Sequence, residues 1–159
     1  MIKKRHPLSS KEQKEFLEIL KDKLPSIYEK IDRRKVIEIL EIKDGNKIYV
    51  QEEKAIAIVI NEELIPPLRQ ELLESFPKVI IDMGAVPHIV NGADVMAPGI
   101  RSIHGNLNDV VVIVDEKYGK PIAIGKIIMS PMEVLEKRKG KAIKNLHHIG
   151  DHLWKLVQS

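Results

Sequence analysis

The sequence predicts an α+β protein built from two small domains, and three observations predict it. Residues 9–31 carry an apolar stripe at helical spacing. Residues 36–60 hold three short runs rich in β-branched side chains. Residues 78–159 hold several short strands broken by glycine and proline, with one helix between them, the pattern of a small β-barrel with helical insertions. A chain of 159 residues accommodates one medium domain or two small ones. Its 43% hydrophobic and 31% charged side chains give a packed core under a solvated surface, not disorder.

Ser9 and Glu12 have capping-box spacing, so a helix starts there. Phe16, Leu17, Leu20, Leu24, Ile27 and Ile31 form its apolar face, and Pro25 breaks or restarts it. Val36 to Ile42, Lys47 to Val50 and Ala55 to Ile60 read as strands, the first two joined by the turn Asp44-Gly45-Asn46. Pro66-Pro67 then opens a helix through Leu72 and Leu73 that ends near Pro77. A change of charge also falls there. Residues 1–77 carry 15 basic and 15 acidic side chains, and residues 78–159 carry 11 and 8. The domains are therefore residues 1–77 and 78–159, joined by a short linker that favours rigid packing.

In the second half, Val79 to Asp82 is a strand, and Ala85 to Val90 is one or two helical turns. Val110 to Asp115 and Ile122 to Met129 are strands around the turn Lys117-Tyr118-Gly119-Lys120. Ser130-Pro131 with Glu133 is a helix N-cap with proline at the first position. Ala142 to His147 and His152 to Val157 read as two closing strands.

Zero cysteines exclude disulfides, thiolate metal sites and cysteine nucleophiles. Aromatics at 4% argue against a sheet face of stacking rings. No apolar run approaches the ~18–20 residues of a membrane span. The basic start Met1–Pro7 runs into polar residues, unlike a signal peptide. A cytoplasmic protein is the expectation, with a composition leaning towards a thermophile. No phosphate-binding glycine loop or serine elbow occurs. His148 and His152 are four apart beside Asp151, a metal-like spacing on a helix, but Gly150 interrupts the segment. His147, His148 and His152 therefore read as ordinary surface or half-buried histidines. Glu52-Glu53 and Glu62-Glu63 read as solvated loop charges. The expectation is no enzyme, no metal and no cofactor.

Lys137, Arg138, Lys139, Lys141 and Lys144 fall within eight residues with no acid between them. Such a cluster can neutralise several phosphates, or it can simply complement a helix C-terminus.

The segment from Asp82 to Ile100 resembles the signature of the PUA domain, the RNA-binding module of pseudouridine synthases and archaeosine transglycosylases. Asp82-x-Gly84-Ala85 and Asn91-Gly92-Ala93-Asp94-Val95-Met96-x-Pro98-Gly99-Ile100 carry the resemblance. Ala123-Ile124-Gly125-Lys126, Met129-Ser130 and Gly150-Asp151-His152-Leu153-Trp154 extend it over roughly residues 78–157. The first half resembles the pre-PUA domain of one branch. That branch holds archaeal stand-alone proteins and the eukaryotic malignant-T-cell-amplified-sequence and ligatin translation factors. Asn145-Leu146-His147-x-Ile149-x-Asp151-x-Leu153-Trp154 fits it in particular.

The resemblance implies a small α/β pre-PUA domain packed on a PUA pseudo-β-barrel. It implies a non-catalytic RNA-binding protein acting in translation, in initiation or recycling, on transfer RNA or the small ribosomal subunit. An accessory RNA-binding subunit of an RNA-modifying enzyme of the pseudouridine or archaeosine type is the alternative. A module that docks a protein partner through its first domain is a third class. The RNA surface it implies comprises Gly84, Ala85, His88, Asn91, Gly92, Ala93, Asp94, Val95, Met96, Pro98, Gly99 and Arg101. Pro87-His88 stands where the family often has a basic or aromatic pair. In this surface Gly92 and Ala93 lack bulk, so a phosphate or ribose could approach their amides. Asn91 and Asp94 could read base edges or 2′-hydroxyls. Val95, and the lone Trp154, read as core rather than as contacts.

Overall fold

In the computed structural model, which describes residues 2–158, Ser9 and Glu12 cap α1 (Ser10–Lys23) reciprocally. The Glu12 amide donates to Ser9 Oγ at 3.1 Å, and the Ser9 amide donates to Glu12 Oε1 at 2.8 Å. Two orphan donors of the first turn are thereby satisfied. Phe16, Leu20, Leu24 and Ile27 are buried, and the Phe16 ring stacks on Tyr49 with centroids 3.9 Å apart. Pro25 ends α1 and starts α2 (Pro25–Lys30), where its missing N–H falls at an N-terminal position that needs none.

The chain divides between Leu72 and Leu73 into two units. The first carries an antiparallel five-stranded sheet in the order β1-β2-β3-β4-β5: Ile2–Pro7, Glu38–Ile42, Lys47–Gln51, Lys54–Ile60 and Glu63–Ile65. Gly45, with φ +92°, makes the β2–β3 turn, and the Asn46 amide donates to Asp44 Oδ1. Glu52-Glu53 and Asn61-Glu62 make the next two turns, all four residues at positive φ. Sequence reasoning missed β1 and β5. Five of the six residues of β1 are exposed, so no alternation marks it. Its Arg5 instead bridges Glu38 and Glu53 on the sheet surface.

The helix expected from Pro66 to Pro77 is absent; one turn of 3-10 helix at Gln70–Leu72 stands in its place. Side-chain cations bind the carbonyls that a helix would have used. Lys30 Nζ donates to the Glu71 carbonyl. Lys78 Nζ donates to the carbonyls of Leu73, Glu74 and Phe76 at 2.8, 3.2 and 2.7 Å. Burial pushes the Lys78 pKa below its ordinary value, against the opposing pull of Glu74.

The second unit holds a six-stranded sheet in the order β7-β11-β10-β9-β6-β8. The strands are β6 Lys78–Ile81, β7 Val95–Met96, β8 Ile100–Ile103, β9 Val110–Asp115, β10 Pro121–Ile127 and β11 Lys141–His148. β6 and β9 are parallel, and the other pairs are antiparallel. The sequence suggested a barrel, but among the described residues no ladder joins β7 to β8. A single turn, Ala97–Gly99, links them covalently. Four residue steps from Met96 to Ile100 span at most ~14 Å, so the sheet must curl until its ends nearly meet. The core inside includes Val79, Ile81, Ile89, Val95, Ile100, Val111, Ile113, Val134 and Ile143. Three helices decorate it: α3 Val86–Ile89, α4 Pro131–Lys137 and α5 His152–Gln158. α4 starts at Ser130, whose Oγ accepts from the Glu133 amide.

The strand expected at His152 to Val157 is α5. Asp151 explains the switch: its carbonyl accepts from the Lys155 amide and its carboxylate from the Trp154 amide, as at a helix start. Leu153 is buried, and Trp154 is half-buried.

Gly125 sits at a bulge between β10 and β11. A Cβ there would lie 2.5 Å from Ile143 Cγ2 and 2.9 Å from the Lys144 carbonyl oxygen. Gly125→Ala should therefore destabilise the protein by about 1–3 kcal/mol. Chemical denaturation compared with the parent checks this, and an unchanged midpoint refutes it.

Candidate nucleic-acid interface

Asp82 begins the site. Its Oδ1 accepts from the Ala85 amide at 2.8 Å, and its own amide donates to the Gly99 carbonyl at 2.9 Å. The start of α3 is thus tied to the turn that joins the ends of the sheet. The two segments run close together: a Cβ on Gly99 would lie 3.2 Å from the Ala85 Cβ. α3 then ends in a reversal at Gly92, whose φ of +96° suits glycine.

A cleft of about 640 Å³ opens between these segments. Ala85, His88, Ile89, Gly92, Ala93, Asp94, Met96, Gly99 and Lys141 line it. Eight of these nine belong to the set that the sequence singled out; Ile89 is the addition. Gly84, Asn91, Pro98 and Arg101 lie outside the lining, and Arg101 Nε is 3.4 Å from Glu116. Val95 is fully buried, so its side chain belongs to the core and not to the surface.

Two expected chemistries are corrected. The amides of Asn91, Gly92 and Ala93 already donate to the carbonyls of His88, Ile89 and His88, which leaves no amide cradle for a phosphate. Asp94 is engaged as well. Its Oδ1 accepts from the Asn145 amide at 2.9 Å, and its Oδ2 lies 3.6 Å from Lys141 Nζ. The small residues instead leave open space over a wall that is largely apolar.

Asn145, on β11, was missed as a site residue. Its Nδ2 donates to the carbonyls of Ile89 and Ala93, both at 3.0 Å. Together with the amide bond to Asp94, it fastens the whole 89–94 loop to the sheet. Its Oδ1 is buried and accepts nothing among the described residues. Its only sequence signal was its place at the head of the segment Asn145-Leu146-His147, and an asparagine in a strand does not announce which carbonyls it will reach.

The basic stretch divides by role. Arg138 takes a left-handed conformation at the end of α4, and its guanidinium donates to the carbonyls of Ile100 and Pro98. The residue is exposed, yet its guanidinium is held on the turn. The Ala97 amide donates to the Gly140 carbonyl beside it. Lys141 faces Asp94. Lys137, Lys139 and Lys144 are exposed, with Lys137 3.8 Å from Glu133. Lys144 sits opposite Lys126 on β10.

His147 is fully buried, and its Nδ1 donates to Asp151 Oδ2 at 2.9 Å. His148 is placed under Gly92: a Cβ on Gly92 would meet its Nε2 at 3.4 Å. His152 begins α5. No group of three metal-ligating side chains gathers among the described residues, and no helix among them is long and apolar enough to cross a membrane.

Asp151 supplies a pH test. Burial pushes its pKa up, but the hydrogen bond and charge of His147 and the amides of His148 and Trp154 outweigh this, and the net shift is downward. A carboxylate depressed in the folded state stabilises it above the unfolded pKa of ~3.9, and that stabilisation is lost as pH falls through and below this value. Thermal melts from pH 6 to 2 should fall more steeply for the parent than for Asp151→Asn, which should start lower and run flatter. Parallel curves would remove Asp151 from the acid transition.

Comparison with known proteins places this geometry in context. A model of the PUA domain matches residues 77–149, and a model described as a domain of unknown function, DUF1947, matches residues 4–70. An uncharacterized protein of Methanocaldococcus jannaschii is 40% identical over 158 residues, covering 96% of each chain. Translation machinery-associated protein 20 of Saccharomyces cerevisiae is 30% identical, covering 91% of this chain and 90% of its own. The crystal structure of a hypothetical protein from Pyrococcus horikoshii superposes with a TM-score of 0.80 at 36% identity, over 97% of this chain and 99% of that one.

Proposed function

We propose that this chain, which belongs to the family that joins a DUF1947 domain to a PUA domain, is a non-catalytic RNA-binding protein of the translation machinery. In this reading residues 1–77 are the pre-PUA domain and residues 78–159 bind RNA. The RNA is transfer RNA or that of the small ribosomal subunit, and the step is initiation or recycling in the cytoplasm. The relative named for association with the translation machinery supports the setting. The cleft between α3 and the Ala97–Gly99 turn carries the reading. Its lining of alanine, glycine, isoleucine and methionine leaves room for the flat face of an unstacked base or a ribose, and His88 in the same lining offers a ring on which a base can stack. Lys141 at its rim and the exposed Lys137, Lys139 and Lys144 meet the phosphates.

Ala93→Glu tests the cleft. Ala93 is exposed, so the substitution leaves the fold intact, and it places a negative charge where phosphates would lie within the ~8–10 Å screening length. Gly92→Glu is the poorer choice, because it adds backbone strain at positive φ. Ala93→Glu should weaken binding of fluorescent transfer RNA, or of small-subunit RNA fragments, at least tenfold with an unchanged melting temperature. A folded variant that binds as the parent does refutes the assignment.

The lysines are tested through salt. Replacing Lys137, Lys139 and Lys144 by alanine should make the log–log slope of affinity against salt shallower by about 2, since each phosphate of a single strand accounts for ~0.7 of that slope when neutralised. Arg138 is left in place because it holds the turn. An unchanged slope would make the three lysines solvated surface.

A further inference from the structure

The first unit contains a groove that the cleft does not explain. Residues 1–77 balance 15 basic against 15 acidic side chains, yet the groove gathers Lys14, Lys21, Arg33 and Arg34 around a volume of about 530 Å³, with Glu18 as the one carboxylate in its lining. It lies between α1 and the segment that follows α2. Tyr28 organises the cations. The Arg33 guanidinium lies 4.5 Å from the ring centroid and donates to the Tyr28 carbonyl, and Lys21 Nζ lies 5.7 Å from the same centroid. The electron-rich ring face lowers the cost of holding these like charges together. Carboxylates neutralise them little. Among the described residues, Lys14 and Lys21 make no ion pair. Arg34 Nε, on a side chain that is 93% exposed, lies 3.6 Å from Asp32 Oδ1, and Arg33 Nη1 lies 3.9 Å from Glu29 Oε2. Such exposed pairs contribute little. Val36 is 61% exposed beside them, an apolar surface that suits a ribose or base face.

We propose that this groove is a second RNA surface, one that tracks the phosphate backbone of a single strand. The proposal rests on the RNA-binding reading given above. Four convergent cations with an apolar floor match a chain of phosphates and unstacked nucleotides. The groove reads charge and not sequence, so any single-stranded RNA is a valid probe.

The experiment uses the full chain and a fluorescein-labelled oligouridine of about 20 nucleotides, titrated across salt concentrations. Lys14→Gln, Lys21→Gln and Arg34→Gln are combined; Arg33 is kept because it braces Tyr28. The slope should become shallower by about 2, or ~0.7 for each of three phosphates no longer neutralised, with affinity at moderate salt down about tenfold. The charge-retaining set Lys14→Arg, Lys21→Arg and Arg34→Lys should keep the parent's slope, which separates charge from folding. Ala93→Glu is measured in parallel. If the glutamine set loses slope while Ala93→Glu binds as the parent does, the groove stands and the cleft assignment falls. If Ala93→Glu loses binding while the glutamine set keeps slope and affinity, the groove proposal is overturned and the cleft stands. An unchanged RNA slope together with lost binding of a labelled glutamate–leucine repeat peptide overturns it in favour of an acidic protein segment. A parent chain that binds no RNA overturns both.

Discussion

The constraint from which the second unit follows is the three-residue turn Ala97–Gly99, which ties the two edges of a six-stranded sheet to each other. A flat sheet of that size would hold its edge strands far apart, since neighbouring strands are spaced by ~4.8 Å. With only three residues between β7 and β8, the sheet must curl around its core. Most other special features serve this closure. Gly125 lets β11 press on β10 where a side chain would collide with Ile143. Arg138 occupies the carbonyls of Pro98 and Ile100, which a short turn between two edge strands leaves without ladder partners. Asp82 fixes the far side through the Gly99 carbonyl. The cleft is the gap that remains where this turn meets α3.

Closure also decides which charges are available. Arg138 lies in the most basic run of the sequence, but its guanidinium is occupied by backbone oxygens. Lys141 is partly satisfied by Asp94, which is itself held by the Asn145 amide. The chain Lys141–Asp94–Asn145 connects a surface cation to the anchoring of the 89–94 loop. In the proposed role, a phosphate approaching Lys141 competes with Asp94, and the loop stays in place because Asn145 holds the Ile89 and Ala93 carbonyls independently.

The parts of this molecule that were legible in the sequence are those where one local interaction decides the outcome. The Ser9–Glu12 box, Pro25, the Asp44-Gly45-Asn46 turn and the Ser130-Pro131 cap all formed as expected. The loop motif from Asp82 to Ile100 likewise marked the residues that line the cleft. What escaped was decided at long range. β1 is a strand only because β2 offers it partners, and β5 sits beyond a turn built from Asn61-Glu62 at positive φ, residues that do not advertise a hairpin. At Pro66-Pro67, a proline pair suited to a helix start suggested a helix, but Lys30 and Lys78 reach in to take carbonyls of the segment. At α5 the apolar spacing suited either element, and the Asp151 cap chose the helix. The engaged amides of Gly92 and Ala93 were equally invisible, because a glycine in a sequence shows the absence of bulk and not where its N–H points.

Those engaged amides set the kind of recognition the cleft can perform. A site that binds phosphate through backbone amides needs donors free in the absence of ligand, and here Asn91, Gly92 and Ala93 have none to give. Asp94 cannot turn to a base edge without releasing the Asn145 amide and leaving a half-buried donor unpaired, at a cost of ~1–3 kcal/mol. In the proposed role, discrimination in the cleft therefore rests on shape: whatever enters presents an apolar or flat face to Ala85, Ile89 and Met96 and approaches Gly92 and Ala93 closely. A base-paired helix cannot offer such a face, because its bases are stacked and its backbone lies outermost, whereas an unpaired end or a splayed nucleotide can. In the proposed role, affinity then comes from Lys141 in the lining and from the exposed lysines around the cleft. Phosphate contacts of that kind hold a strand in place without reading its sequence, so shape and charge are divided between different side chains, and each can be removed without removing the other.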